Sequence, residues 1–364
     1  MLNLSNKLPL IIICSALFAC SPTDNEQQPS KSAIAIETFA TLDKGPGNIT
    51  LTPSGKVIVS LHQFYGDEIR VASIGDQGKL TSFASDSNVN SVLGLQADAS
   101  RIVWLLDNAM RGGDKRRLVG WSASSDESVA DIDLSDVTTD SAFLNDLAVD
   151  TARNKVYIAD PAGGADAAII VVDTESGAAR RVLEGHVSVI PEDMDLVIDG
   201  TPVEIRIDED KVIRPRVGIN PIALDKDGEW LYYGPMHGLS MYRVRTADLR
   251  DATLSAEELA GRVERWADKP ICDGISIDDE GNLYLGDLAN NAIGVIGPDR
   301  QYRTLIADPR LSWVDAFSFG PDGYLYTVIN QLHRSAVLNA GTPATVPPYL
   351  IMRFEPLAGG TVGR

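Results

Sequence analysis

The chain has 364 residues, 51 acidic against 32 basic side chains, a formal net charge of -19 and 44% apolar residues. That balance excludes nucleic acid and anionic lipid surfaces as electrostatic partners, because phosphate binding draws on clustered Lys and Arg. Three cysteines in so long a chain also exclude a disulfide-built scaffold, so stability has to come from a buried core.

At the start of the chain, Lys7 precedes an apolar run over residues 8–18 that is too short to span a bilayer. Residues 1–19 therefore read as an export signal. The run ends in Leu17-Phe18-Ala19-Cys20, which resembles the lipobox of bacterial lipoproteins, where a small residue precedes the cysteine that takes lipid and becomes the mature N-terminus. Phe18 is bulkier than that position usually holds. The expectation is lipidation at Cys20, a secreted protein at the periplasmic face of the outer membrane or outside the cell, and membrane contact through the lipid only. Residues 20–32 are polar, include Pro22 and Pro29, and read as a flexible tether. With Cys14 removed and Cys20 lipidated, Cys272 is left without a disulfide partner, and a buried inert thiol is its expected state.

The rest, residues 33–364, carries an internal repeat of two β-type runs joined by a turn rich in Asp, Asn and Gly. Asn48-Ile49-Thr50-Leu51 leads through Pro53-Ser54-Gly55 to Val57-Ile58-Val59, and Leu93-Gly94-Leu95 leads to Val103-Trp104-Leu105. Asp146-Leu147-Ala148-Val149 leads to Val156-Tyr157-Ile158, and Ile222-Ala223-Leu224-Asp225 to Leu231-Tyr232-Tyr233. Ile275-Ser276-Ile277-Asp278 leads to Leu283-Tyr284-Leu285, and Phe317-Ser318-Phe319 to Leu325-Tyr326-Thr327. With Gly47, Ser91, Asn145, Asn220, Asp273 and Asp315 as equivalent points the steps are 44, 54, 75, 53 and 42 residues, most of them the length of a four-stranded blade. The expected fold is all-β, a six-bladed β-propeller, closed by residues 33–40 pairing beside residues 349–354 so that no sheet edge is left between the first and last blades.

In a propeller the inner strands start at one mouth of the central channel and the second strands return to it. The starts carry Asn145, Asp146, Asn220, Asp273 and Asp315; the returning ends carry His62, Asp107, Asp160, His237, Asp287 and His333. Singly, an Asn or Asp before a strand is an ordinary turn residue. Together they make a polar mouth, where closed β-architectures bind small molecules. The expected ligand-binding residues are Asn145, Asp146, Asn220, Asp315, His62, His237, His333 and His186. The long step contains an insertion over residues 184–217, with an Asp199-Gly200 hairpin signal, that has to cross the same mouth and would cover it.

The stretches Phe143-Leu144-Asn145-Asp146, Tyr157-Ile158-Ala159-Asp160, Gly185-His186-Val187-Ser188-Val189, Gly218-Ile219-Asn220-Pro221-Ile222 and Leu231-Tyr232-Tyr233-Gly234-Pro235-Met236 resemble the Yellow/major royal jelly protein family. Asp273-Gly274-Ile275 and Trp313-Val314-Asp315-Ala316-Phe317 extend the likeness across nearly the whole folded part. The resemblance implies a six-bladed propeller, an exported location and roles ranging from dopachrome conversion to binding of biogenic amines. It brings no catalytic motif. A more distant resemblance is to gluconolactonase-like propellers, whose mouth holds a divalent metal by a Glu, two Asn and an Asp. Asn145, Asn220 and Asp273 match three of these, the Glu position falls at Gly47, and Asp315 offers a second carboxylate. That likeness implies Ca²⁺ or another divalent cation on Asn145, Asn220, Asp273 and Asp315, with Asp273 as the catalytic residue of a lactonase. The expected function is thus capture of a small polar or aromatic molecule, cationic or hydroxyl-rich, at an acidic mouth; the alternatives are a metal-dependent lactonase and a protein-binding scaffold with a plugged mouth. No nucleophile elbow, Walker loop, zinc signature or Rossmann fingerprint is present.

Overall fold

The computed structural model describes residues 34–364; the stretches expected to be an export signal and a tether, with Cys20, lie outside the described residues. Successive apolar hairpins close into six four-stranded antiparallel sheets, the blades of a propeller. The first blade is Pro46–Leu51, Val57–Leu61, Val71–Ile74 and Leu80–Ser82, and the second is Val92–Ala97, Ile102–Asp107, Arg117–Ser122 and Glu127–Asp133. The third is Leu147–Asp150, Lys155–Asp160, Ala168–Asp173 and Ala179–Val182, and the fourth is Ile219–Leu224, Trp230–Pro235, Ser240–Arg245 and Glu264–Asp268. The fifth is Ile275–Ile277, Leu283–Asp287, Ala292–Ile296 and Tyr302–Ala307. The sixth is Val314–Phe319, Leu325–Ile329 and Tyr349–Phe354, completed by Ile36–Leu42 from the other end of the described chain. That closing strand runs antiparallel to Tyr349–Phe354, with Ile36 opposite Phe354 and Leu42 opposite Tyr349.

The inner and second strands are buried on both faces, which is why they read as nearly unbroken apolar runs, whereas an outer strand such as Glu127–Asp133 is mostly exposed and charged. Gly281 and Gly323 sit at the hairpin turns with φ of 83° and 86°, a conformation that costs side-chain-bearing residues strain. Apolar side chains from each pair of neighbouring blades form one buried cluster, for example Val156, Ile158, Trp104 and Leu118 between the second and third, and Tyr284, Phe319 and Phe354 between the fifth and sixth. Each fully buried Leu, Val or Phe contributes about 1.5–3 kcal/mol, so the ring is held by its blade interfaces.

The insertion between the third and fourth blades contains two small hairpins, Val197–Ile198 with Thr201–Pro202 and Ile205–Arg206 with Val212–Ile213. Asp199 and Gly200 both have positive φ, 51° and 78°, as an Asp-Gly hairpin turn requires. Backbone hydrogen bonds from Glu204 N to Leu338 O and from Ala340 N to Glu204 O stitch the insertion to the loop that follows the second strand of the sixth blade. At the other end of the axis, Gly363 and Arg364 lie across the channel, where Phe319 N donates to Arg364 O and the Arg364 guanidinium donates to Val149 O and Asp225 O.

Candidate functional site

The inner strands are not regular where they begin. The pairing register slips between Pro46 and Ile49, Val92 and Leu95, Ile219 and Ile222, and Val314 and Phe317. A bulge of this kind leaves residues unpaired and re-aims their side chains, and it also accommodates Pro221, which lacks the N–H a regular ladder would use. Asn48, Asn220 and Asp315 fall in these bulges and line a common cavity at the axis together with Asn145 and Asp273.

The cavity holds about 360 Å³. Its floor is polar, formed by Asn48, Asn145, Asn220, Asp273 and Asp315; its sides carry His62, His237, Phe64, Phe143, Met236 and Trp313. The roof is apolar. Leu196, Val203, Ile205 and Val217 come from the insertion, and Leu332 and Leu338 from the loop after the sixth blade's second strand. Leu196, Val203, Met236, Trp313, Leu332 and Leu338 belong to one buried cluster, so the roof is packed against the rim.

Three carboxylates define the electrostatics. Asp273 is 6% exposed and accepts hydrogen bonds from Trp313 Nε1 at 2.7 Å and from the Asn220 amide. Asp146 accepts from Asn48 Nδ2 at 2.6 Å, and Asp315 accepts from Asn330 Nδ2. Burial pushes Asp273 up to about 7 despite its two donors, and pushes Asp146 up to about 8 with the charge of Asp273 adding to it. Asp315 is raised first by burial and then by the charges of Asp273 and Asp146. Among the described residues no lysine, arginine or histidine charge offsets any of the three.

The structure divides the expected ligand-binding set. Asn145, Asn220, Asp315, His62 and His237 line the cavity with Asp273. Asp146 instead faces the narrow channel below, with Gln96, Ser276 and Arg364, because its neighbour Asn145 takes the cavity side at the strand start. His333 stands behind the wall, stacked on the Trp313 ring at 6.0 Å between centroids. His186 is not in the lining: its Nδ1 is engaged by Ser188 Oγ at 2.8 Å and by the Ser188 backbone N–H, and Ser188 in turn meets Tyr233 OH. Asp107 and Asp160 serve as loop locks, Asp107 accepting from the backbone N–H groups of Asn90, Ser91 and Ala109, and Asp160 from those of Phe143 and Ala162. Cys272 is fully buried and its thiol is pushed up by burial, the signature of an inert side chain.

The family profile of the major royal jelly proteins matches residues 90–339. The chain belongs to the major royal jelly protein family. No curated protein matches the sequence significantly. Among solved structures, this royal jelly family propeller is similar to a gluconolactonase from Xanthomonas campestris (13% identity, TM-score 0.55, covering 88% of this chain and 89% of that one). It is also similar to a luciferin-regenerating enzyme (15%, TM-score 0.54, 91% and 100%) and to a PQQ-bound aldose sugar dehydrogenase from Streptomyces coelicolor (11%, TM-score 0.55, 88% and 98%). At such identities these likenesses establish the shared propeller fold.

Two features of the family member's cavity were not read from its sequence: the orienting role of Asn48, itself expected at the axis, and of Trp313, and the residues of the roof. Asn48 and Trp313 orient the carboxylates, and both sit in stretches that the repeat had already aligned, at Gly47-Asn48 and Trp313-Val314-Asp315. The roof residues Leu196, Val203, Leu332 and Leu338 carry no sequence signal of their own, being single apolar residues in irregular segments. Gly47 takes the place of the lactonase-like carboxylate for a steric reason. A Cβ there would lie 2.9 Å from Ser60 Oγ, which is held between Asn48 N and Leu93 O. Among the described residues no group of three or more His, Cys, Asp or Glu is placed to hold a metal.

Proposed function

We propose that this royal jelly family propeller captures a small organic cation with an apolar body, the charge seated on the floor and the body under the roof. The observation that carries this reading is the pair of carboxylates on the cavity floor, Asp273 and Asp315, with Asp146 in the channel just below them, beneath a largely apolar cover whose one cation, Arg216, is already paired with Asp193 and Asp195. An ammonium group supplies the missing charge, and its ring or chain fills a cavity of about 360 Å³. A mouth plugged by side chains would favour the scaffold alternative, and the cavity at the mouth supports the small-ligand reading instead. In this proposal the propeller works outside the cytoplasm, tethered through lipid on Cys20.

Calorimetry with phenethylamine and its uncharged analogue 2-phenylethanol tests the reading. The amine stays cationic from pH 5 to pH 8, while Asp273, raised to about 7, ionises across that range. Affinity for the amine should therefore be about tenfold higher at pH 8 than at pH 5, and the alcohol should bind weakly with no pH dependence. Equal, pH-independent binding of both compounds would sink the proposal.

A divalent cation is the second reading, favoured by Asn220 Oδ1, which is buried without a partner among the described residues. Asn145, Asn220, Asp273 and Asp315 would hold it, all oxygen donors of the kind Ca²⁺ takes. When bound it would supply Lewis acidity toward a lactone or ester carbonyl. Titration with Ca²⁺ that yields neither heat nor a melting shift removes this reading and leaves the first intact.

A further inference from the structure

The acids at the floor account for the charge of the proposed ligand and leave two cavity histidines without a task. His237 is 1% exposed, lines the cavity, and accepts the Val217 backbone N–H on Nδ1 at 3.1 Å. A nitrogen that accepts carries the lone pair, so the neutral ring bears its proton on Nε2. Nε2 is buried and has no partner among the described residues. His62, from a different blade, shares the Nδ1 side of the arrangement: it is 5% exposed, lines the same cavity, and accepts the Phe64 N–H on Nδ1 at 3.2 Å, which leaves its proton on Nε2.

Both rings stay neutral at physiological pH. Burial, then Arg111, lowers His62 to about 3, and burial, then Arg216 and Lys269, lowers His237 to about 4. The cavity lining therefore contains two rings that carry an Nε2–H and add no charge. A buried donor left unmet costs about 1–3 kcal/mol, so an oxygen of the ligand is the natural partner.

The charge of that oxygen follows from the lining. Arg216 is its one cation, and the guanidinium is already committed to Asp193 and Asp195. A carboxylate on the ligand would meet acids with no free cation, whereas an uncharged acceptor takes the histidine protons without penalty.

We infer that His237 and His62 select, among organic cations, those that carry an uncharged acceptor oxygen such as a ketone, ether or phenol at the end away from the ammonium group. The inference rests on the cation reading and adds the second recognition element of the ligand.

A matched pair of amines tests it: 4-acetylphenethylamine and 4-isopropylphenethylamine have the same charge and nearly the same shape, and differ by a carbonyl oxygen in place of a methyl group. At pH 8 the protein should bind the ketone about 3- to 10-fold more tightly, the range a neutral hydrogen bond supports. His237→Phe keeps a ring and removes the donor, so it should abolish the preference, read as the ratio of the two affinities measured on the same variant. His62→Phe provides the same comparison from the other wall, and the parent protein decides by itself if either variant fails to fold. Equal affinity of the parent for both amines overturns the inference and leaves the cation reading standing. A preference that survives in both variants overturns the assignment to these histidines. Binding of neither amine overturns both proposals.

Discussion

The floor of the cavity is assembled from equivalent positions of a repeat, whereas its roof comes from two segments that belong to no repeat. Asn145, Asn220, Asp273 and Asp315 each sit where an inner strand begins, Asn220 and Asp315 within bulges and Asn145 and Asp273 just before the first paired residues. Leu196, Val203 and Ile205 belong to an insertion that reaches the cavity between two blades, joined to Leu332 and Leu338 by packing and by the Glu204 to Leu338 backbone bond. The floor is rigid, polar and electrostatically unbalanced. The roof is mostly apolar, and its one cation, Arg216, is paired with Asp193 and Asp195. The lesson is a division of labour: scaffold positions carry charge recognition, where displacement would be costly, and the added segments carry the cover, where only shape and dryness matter. Trp313 joins the two, because its ring packs in the roof cluster while its Nε1–H holds Asp273.

Neutralising the floor is the strongest way to break this contrast. Asp315→Asn removes a floor carboxyl that a bound ammonium group would pair with, and affinity for phenethylamine at pH 8 should fall about 10- to 100-fold, in line with about 1.5–3 kcal/mol for a charge-assisted contact. The same variant without ligand should melt higher than the parent at pH 8, since an amide avoids the cost of burying this carboxyl next to Asp273 and Asp146. A loss of affinity together with a lower melting point would instead mark Asp315 as a structural residue.

Damage to the roof should have the opposite profile. Leu196 is 2% exposed within the roof cluster, so Leu196→Ala should cost about 2 kcal/mol of stability by thermal or denaturant unfolding. The ratio of amine affinities at pH 8 and pH 5 should be preserved, because that ratio belongs to the floor. A changed ratio would show that the two regions are not separable.

The smallest effect sharpens the comparison without a substitution. Asp273 and Asp146 have folded-state values of about 7 and about 8, above the ordinary value of 3.8, so the folded protein holds protons that the unfolded chain has lost. Stability from these groups is present at low pH and is lost as pH rises through 7 to 8. His62, His237 and His333, lowered to about 3, about 4 and about 4, act in the reverse sense, but only below the ordinary histidine value of 6.5. Between pH 6.5 and pH 8 the acids alone remain, and the ligand-free protein should lose on the order of 1 kcal/mol. A saturating organic cation should flatten that drift, and Asp273→Asn should reduce it. A flat ligand-free profile would show that the floor is already neutralised.

From the residues alone, the propeller and the inner-strand starts were legible, because both follow from local rules. Alternating apolar hairpins with Asp and Gly turns define a blade, and six copies, with an apolar strand at each end of residues 34–364, define a closed ring. Since every inner strand begins at the same mouth, aligning the repeats also brought Asn145, Asn220, Asp273 and Asp315 to one place. Tertiary structure decided the rest. Which residue of a strand start faces the cavity depends on local backbone geometry, and so Asp146 lines the channel while Asn145 lines the cavity. Which histidine is idle depends on its neighbours, and so Ser188 engages His186 while Val217 pins His237 with Nε2 unmet. The roof had no local signature at all, because a leucine becomes a cover only when segments about 140 residues apart, at Leu196 and Leu338, are packed against each other, and burial is a property of that packing and not of the residue.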